Sequence, residues 1–120
     1  MTQVKDMTDQ QLNRALAELM GWNELVEYDD GAVYGFPPDD RWSNRVPSYC
    51  NDSAASLEVE KSAIVAKAVE YMRNLAAIKW GRQDTEEMTE ISLVGAADLH
   101  TASPRERAEA AYITLSSVKE

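Results

Sequence analysis

The 120-residue chain has one cysteine, one histidine and no long apolar run. A lone Cys50 excludes an intramolecular disulfide and a zinc site built from several thiolates. A lone His100 argues against a histidine-rich metal site. No segment approaches the roughly 18 apolar residues of a membrane span, and the N-terminus lacks the apolar segment of a secretory signal. We therefore expect a chain without a metal centre, a signal peptide or a membrane span.

Motifs of common catalytic and cofactor sites are missing as well. The chain has no glycine-rich phosphate loop, no His-Glu-x-x-His pair and no Cys-x-x-Cys pair. A nucleophilic Cys50 would need His100 as its base, and nothing in the sequence supports that pairing. The pairs Asp29-Asp30 and Asp39-Asp40 do not have the spacing of an EF-hand. The sequence therefore favours a protein that is not an enzyme and carries no cofactor.

Negative charge exceeds positive charge, and the excess is concentrated in the first half of the chain. The formal net charge is −9, from 12 Lys and Arg against 21 Asp and Glu. Residues 1–60 hold four basic and twelve acidic side chains, whereas residues 61–120 hold eight and nine. This acidity argues against direct binding to nucleic-acid phosphates. It is typical either of a solvated surface or of a surface that binds a basic partner. The candidate acidic face consists of Glu27, Asp29, Asp30, Asp39 and Asp40.

The beginning of the chain predicts a helix. Thr8 and Gln11 have the spacing of a capping box, in which each side chain binds the backbone of the other residue. Leucine and alanine then recur with a helical period, and Gly21 can adopt the left-handed conformation that ends a helix. We place this helix at about 9–20.

A hairpin and a loop are predicted next. Two β-prone runs, 25–28 and 32–36, flank an Asp-Asp-Gly turn, which is typical of a two-stranded hairpin. Two strands alone are barely stable, so the hairpin must pack on other elements. Prolines then interrupt the chain and predict a loop over 37–51.

A long helix is the main feature of the second half. Asp52 is a candidate N-cap for a helix that we place at about 53–79. Apolar residues recur with a helical period over 57–78, and no proline or glycine interrupts them. An earlier end, followed by a strand over 75–80, is the alternative.

A short strand and a last helix complete the prediction. The run 89–94 is rich in β-branched residues and is interpreted as a strand. Ser103, Pro104 and Glu106 have the chemistry of a helix start, with a cap, a proline at the first helical position and a capping box. These elements predict a single α+β domain, rich in helix, over residues 1–120.

Three stretches, taken in order, resemble a known family. Residues 12–22 form a helix that ends in Met-Gly-Trp. Residues 46–55 are similar to a box of the form Val-Pro-x-Tyr-x-x-Asp-x-x-Ala-Ala. Residues 100–110 are similar to a closing segment of the form Ala-Thr-x-Arg-x-Arg-x-Glu-Ala. The stretches cover about 32 of the 120 residues, and their order and rough spacing also agree.

Together they resemble small phage and prophage proteins that carry the phage ABA-sandwich domain. The resemblance implies helices packed on a small antiparallel sheet. Combined with the elements above, it predicts about three helices, one of them long and central. It also implies a phage or prophage accessory protein made in the cytoplasm of a bacterial host, and it brings no catalytic residues. The family usually places several strands between its second and last helices, whereas 73–99 offers only one.

Two groups of residues are candidates for binding. The acidic face named above would bind a basic partner. The second group is a pocket of Trp42, Tyr49 and Asp52, together with His100 and Arg105 beside the last helix. Aromatic anchoring, helix capping and pairing with acids are the structural alternatives for this second group.

Three functions are therefore considered. The first is a non-enzymatic accessory protein that binds a host or phage protein and modulates or inhibits a host defence factor. The second is a binder of a small nucleotide-like ligand, which needs guanidinium groups to converge from Arg41, Arg45, Arg105 and Arg107. The third is self-assembly through the 57–78 helix, because its apolar stripe exceeds what a small sheet can cover.

Overall fold

The computed structural model describes residues 4–81 and 93–119. These residues form a 3₁₀ turn, four α-helices and a three-stranded antiparallel sheet in the order β1-β2-β3. In chain order the elements are the 3₁₀ turn Val4–Asp6, α1 Asp9–Leu19, β1 Asn23–Glu27, β2 Val33–Phe36, β3 Asn44–Arg45, α2 Ser53–Trp80, α3 Leu93–Leu99 and α4 Pro104–Lys119. The predicted class, α+β and rich in helix with a long central helix, is confirmed.

The predicted helix starts are confirmed in atomic detail. Gln11 N donates to Thr8 Oγ1 at 3.1 Å, and Thr8 N donates to Gln11 Oε1 at 2.9 Å. Asp52 Oδ1 accepts the backbone N–H two residues further along at 2.9 Å. Ser103 and Glu106 form a second capping box, with bonds of 2.8 and 3.1 Å. Each cap satisfies backbone donors that a helix cannot pair internally.

The hairpin is also confirmed, and a strand that was not predicted, β3, pairs with it. β1 and β2 are antiparallel, with Val26 opposite Tyr34, and Ala32 N donates to Asp30 Oδ1 at 3.0 Å in the turn. On the other side of β2, Tyr34 lies opposite Arg45 of β3. The prediction of a loop over 37–51 is therefore wrong at residues 44 and 45, which form β3. Two polar residues have no β pattern of their own, so pairing with β2 determines this strand.

α2 covers the predicted range but bends sharply at Lys67. That residue has φ −153° and ψ 79°, which are not helical. The Tyr71 hydroxyl donates to Glu60 Oε2 at 2.6 Å, although eleven residues of straight helix span about 16 Å. The Tyr71–Glu60 contact therefore crosses the bend and joins the two halves of α2. The helix continues to Trp80, so the alternative strand over 75–80 is wrong.

The strand predicted over 89–94 is absent from the described part of that range, which is residues 93 and 94. Residues 89–92 lie outside the described residues. Leu93 and Val94 begin α3, with 91% and 81% of their surface exposed. For these two residues the strand prediction is wrong.

The core lies between α1, both halves of α2, and α4. Thr114 is fully buried; its Oγ1 donates to the carbonyl of Ala110 at 2.8 Å and accepts from Asn74 Nδ2 at 2.9 Å. The largest fully buried side chains of α1 and α2 are Leu12, Leu16, Val59, Tyr71 and Leu75. Within the described residues, no helix has both the length and the apolar composition needed to cross a membrane.

Candidate interaction groove

The structure divides the predicted acidic face into two clusters. Asp29 and Asp30 lie in the turn before β2, whereas Asp39 and Asp40 lie in the loop after it, at the opposite end of the strand. All four side chains are exposed, and no described cation forms a salt bridge with any of them. Glu27 differs because it pairs with Arg14 of α1 at 2.9 Å. The acidic face therefore consists of two separate clusters. The charge of Glu27 is partly neutralised by Arg14, which joins the helix to the sheet.

Two of the four aspartates also stabilise local turns. Asp30 closes the hairpin turn, as described above, and Asp40 Oδ1 accepts from Trp42 N at 3.0 Å. The side chains of Asp29 and Asp39 make no such bond within the described residues. These two are therefore the members of the clusters with carboxylates open to an outside partner.

The predicted pocket of Trp42, Tyr49, Asp52, His100 and Arg105 is not formed. Trp42 exposes 71% of its surface in the loop before β3, whereas Tyr49 exposes 3%. Asp52 caps α2, His100 follows α3, and Arg105 lies in the first turn of α4. Tyr49 and Asp52 therefore share the turn that leads into α2, whereas Trp42, His100 and Arg105 lie in other settings.

Arg105 is occupied by groups of the protein itself. Its Nη1 lies 2.8 Å from Asp9 Oδ1, and its Nε lies 2.7 Å from Glu109 Oε2. Its Nη2 donates to the carbonyl oxygens of Val4 and Met7 at 3.0 and 2.8 Å. The guanidinium therefore ties the N-terminal segment to α4 and is not free to hold an anion.

Arg107 is held elsewhere by similar contacts. Its Nε lies 3.6 Å from Glu60 Oε2, and its Nη2 donates to the carbonyl of His100 at 3.1 Å. Of the four guanidinium groups expected to converge, Arg105 and Arg107 thus bind different groups of the protein, and Arg41 and Arg45 lie on the loop before β3 and on β3. The cationic pocket required by a nucleotide-like ligand is not formed.

Cys50 is a structural residue in this arrangement. It is 3% exposed, and its backbone N–H donates to Asn13 Oδ1 at 3.1 Å. Burial raises the pKa of the Cys50 thiol to about 11, although the positive charge of Arg105 opposes the effect. A thiol that stays protonated at neutral pH is a poor nucleophile. Across residues 4–81 and 93–119, no three or more His, Cys, Asp or Glu side chains are grouped to bind a metal ion.

A groove of about 430 Å³ brings Tyr49 together with Trp22, Asp39 and Glu58. It lies between the end of α1, the loops on both sides of β3 and the first turns of α2. The remaining lining is apolar and consists of Met20, Pro37, Pro38, Pro47, Ala54 and Ala55. The only charged residues of this lining are therefore acidic. We call this feature the Trp22–Tyr49 groove.

Local backbone chemistry places both aromatic walls. α1 ends in a Schellman motif, in which Trp22 N donates to the carbonyl of Ala17 at 2.9 Å and Gly21 N donates to that of Glu18 at 3.1 Å. Gly21 has φ +96°, the left-handed conformation that this motif requires. The backbone of Trp22 therefore has a fixed geometry relative to the end of α1.

Tyr49 is fixed by the turn that leads into α2. Its N–H donates to the carbonyl of Pro47 at 3.0 Å, and Asp52 N donates to that of Ser48 at 2.8 Å. Burial and, less strongly, the nearby charge of Glu58 raise the pKa of Tyr49 to about 12, against the opposing effect of its hydrogen bond with Trp22. The phenol is therefore neutral at physiological pH, and the carboxylates supply the charge of the groove.

The groove has the chemistry of a site for a cationic side chain. A guanidinium or ammonium group is attracted to the face of an aromatic ring, most strongly to tryptophan. It also forms short, charge-assisted hydrogen bonds with carboxylates. Trp22 offers a partly exposed ring beside the almost fully buried Tyr49, and Asp39 and Glu58 offer exposed carboxylates.

Sequence reasoning found parts of this groove but not the whole. It identified Tyr49 and Asp39 separately, and it paired Tyr49 with Trp42 instead of Trp22. Glu58 was missed, although it lies three or four residues after the alanines of the groove and so on the same face of α2. The Met-Gly-Trp ending of α1 was the available signal for Trp22.

Comparisons with known proteins identify no relative. No family model matches the chain, and neither curated proteins nor solved structures provide a match. The similarity to phage ABA-sandwich proteins therefore rests on the three sequence stretches described above.

Proposed function

We propose that this chain is a non-enzymatic binding protein whose Trp22–Tyr49 groove receives an arginine or lysine side chain of a basic partner protein. The observation that carries the proposal is the presence of two aromatic walls and two carboxylates in one groove. A basic side chain would stack on Trp22 while it pairs with Asp39 or Glu58. The net charge of −9 adds long-range attraction that raises the rate of encounter with such a partner.

A second feature favours a protein partner over a small molecule. Val26, Tyr28 and Trp42 expose 52%, 56% and 71% of their surface. Val26 lies opposite Tyr34 in the sheet, and the rings of Tyr28 and Tyr34 meet edge to face with centroids 5.1 Å apart. Exposed tyrosine and tryptophan are typical of protein interfaces and of their energetically dominant residues. These exposed side chains offer contact area beyond a single side-chain pocket.

The biological setting follows from the sequence resemblance and is part of the same proposal. The three stretches are similar to phage and prophage accessory proteins made in the cytoplasm of a bacterial host. Small acidic proteins of this kind are suited to bind a basic host factor. We propose that the partner is a host or phage protein and that binding modulates or inhibits a host defence factor.

Peptide titration tests the groove directly. The ¹⁵N-labelled protein is titrated with acetyl-Gly-Arg-Gly-amide and, separately, with acetyl-Gly-Glu-Gly-amide, and the indole N–H signals are followed by NMR. The arginine peptide should shift the Trp22 signal and leave the Trp42 signal unchanged, because only Trp22 lines the groove. The glutamate peptide should shift neither signal. An unchanged Trp22 signal with the arginine peptide, or equal shifts with both peptides, contradicts the proposal.

A matched pair of variants separates the groove from general acidity. Asp39→Asn with Glu58→Gln removes two negative charges from the groove, whereas Asp29→Asn with Glu24→Gln removes two from the exposed hairpin. The first variant should weaken binding of the arginine peptide at least about tenfold, which corresponds to about 1.4 kcal/mol, and should reduce its salt dependence. The second should bind nearly as well as the parent chain. An equal loss in both variants would show that total charge, and not the groove, attracts the peptide.

A further inference from the structure

The bend in α2 lacks the residues that end and start helices elsewhere in the chain. Five helix ends carry a recognised capping residue, namely Thr8, Gly21, Asp52, Gly81 and Ser103. At Lys67 there is neither a glycine to end the first half nor a Ser, Thr, Asp or Asn to cap the second. Sharp helix bends are usually found at proline, glycine or an inserted group. The local sequence of the bend therefore favours a continuous helix, as the periodicity over 57–78 also predicts.

Apolar side chains are exposed at the bend. Val65, Val69 and Ile64 expose 80%, 59% and 39% of their surface. In a continuous helix, Val65 and Val69 would lie four residues apart on one face, with Ile64 and Ala68 beside them. A straight α2 would therefore carry an apolar stripe at its centre.

The contacts across the bend are of a kind that a second copy can supply. Tyr71 and Arg107, from the part after the bend, contact Glu60 from the part before it. Arg105 contacts Asp9 in the same way. If residues 68–119 of two copies exchange places, each of these contacts forms again between the copies, because the partner surfaces are identical.

We propose that the chain also forms a domain-swapped dimer, in which α2 is straight and two copies exchange residues 68–119. The straight helix of 28 residues is about 42 Å long. It restores helical hydrogen bonding at Lys67. The apolar stripes of the two copies pack against each other where the straight helices meet at the two-fold axis. The Trp22–Tyr49 groove lies wholly before the bend, so each dimer presents two grooves and can bind a partner bivalently.

A proline variant at the bend tests the exchange. Proline disfavours helical conformation in the residue before it but fits the first position of a helix, so Ala68→Pro keeps the bend and prevents straightening. Ser53→Pro is the matched control, because Ser53 is the first residue of α2 and follows an extended Asp52 with ψ 120°. Each protein is refolded from denaturant at about 1 mM, which favours association by mass action, and its mass is measured by light scattering after gel filtration.

The parent chain and Ser53→Pro should form a fraction with twice the 13.4 kDa mass of the monomer. Ala68→Pro should lower this fraction at least about tenfold, since proline inside a continuous helix is strongly unfavourable. A parent chain that stays monomeric after refolding overturns the proposal. An Ala68→Pro chain that dimerises as much as the parent chain overturns it as well.

A distance measurement shows whether α2 straightens in the dimer. Spin labels are placed at positions 58 and 79 in a Cys50→Ala background, and labelled chains are diluted with unlabelled ones so that distances within one chain are measured. A straight helix places these positions about 32 Å apart, whereas the bend at Lys67 brings them closer together. The long distance should occur in the dimer fraction and the short one in the monomer. A dimer with only the short distance would show association of bent copies and would contradict the exchange.

Discussion

Arg105 Nη1 lies 2.8 Å from Asp9 Oδ1, so a guanidinium near the end of the chain joins the first turns of α1 and α4 across 96 residues. The same group is also bound to Glu109, whose side chain is only 13% exposed, and to two carbonyl oxygens of the N-terminal segment. The sequence offered Arg105 as part of a candidate pocket and as one of four guanidinium groups for a nucleotide-like ligand. The structure shows instead that the protein's own carboxylates and carbonyls occupy the guanidinium.

We expect Arg105→Met to lower the free energy of unfolding by about 2–4 kcal/mol, because it leaves Glu109 and two carbonyl oxygens without their donor. Arg14→Met is the control. Arg14 pairs with Glu18 and Glu27, whose side chains are 61% and 43% exposed, so its loss should cost less than about 1 kcal/mol. Urea unfolding followed by circular dichroism measures both values. Similar losses in the two variants would show that the Arg105 contacts stabilise no more than a surface ion pair.

Stability should fall in alkaline solution as buried groups are forced to ionise. The pKa of Cys50 is raised from 9.0 to about 11, and that of Tyr49 from 10.0 to about 12. A raised pKa contributes stability that is fully present below the unfolded value and is lost as the pH rises through the folded value. The free energy of unfolding should therefore decrease between pH 9 and 12.

The variant Cys50→Ala shows how much of the loss of stability between pH 9 and 11 is due to the thiol. One pKa unit corresponds to about 1.4 kcal/mol, so the thiol should account for a loss on the order of 2 kcal/mol between pH 9 and 11. The variant should show a flatter pH profile over that interval and keep the decrease caused by tyrosine above it. An identical profile in both proteins would mean that Cys50 does not contribute.

A side chain at position 35 is expected to be unfavourable, because Gly35 lies close to β1. A Cβ at this position would lie 2.5 Å from Leu25 Cδ2 and 3.0 Å from the carbonyl oxygen of Asn23 on the neighbouring strand. Gly35→Ala should therefore lower the free energy of unfolding by about 1–3 kcal/mol through overpacking. Chemical denaturation at neutral pH measures this value.

Gly81→Ala provides the comparison, because its Cβ would meet no atom within 4 Å and only the backbone conformation, at φ +66°, is unfavourable. Its expected cost is about 1 kcal/mol. If Gly35→Ala is as stable as the parent chain, the β1–β2 contact is looser than the structure shows.

Two tryptophans should differ sharply in their effect on stability. Trp22 packs against the core, whereas Trp42 is 71% exposed. Trp22→Ala should cost about 2–4 kcal/mol, toward the lower end of the range for buried aromatics because Trp22 is only partly buried. Trp42→Ala should change the free energy of unfolding by less than about 0.5 kcal/mol. The reverse order in thermal or urea unfolding would contradict the placement of the two side chains.

Features controlled by a few neighbouring residues were predictable from the sequence. The capping boxes at Thr8 and Ser103 depend on a residue three positions away, and the hairpin turn depends on its own Asp-Gly pair. These signals correctly predicted the helix starts and the hairpin. The helix over 53–79 followed from its uninterrupted apolar period.

Features that depend on distant contacts were not predictable. The bend at Lys67 has no local signal, since the surrounding residues favour helix, and it is stabilised by packing of both halves of α2 on α4. β3 exists because Asn44 and Arg45 pair with β2. Tyr49 was paired with the nearer tryptophan in sequence, whereas its actual neighbour Trp22 comes from the end of α1. Distance along the chain does not show which of the two tryptophans lies beside Tyr49 in the fold.

The division of the acidic residues by β2 has a consequence for ionic strength. The four-residue strand alone spans about 13 Å, which exceeds the screening length of about 8 Å in physiological salt. The cluster at Asp29 and the cluster at Asp39 therefore act on an approaching cation almost independently in the cell, whereas in dilute buffer their potentials merge. A partner that reaches only one end of the strand senses a small fraction of the total charge.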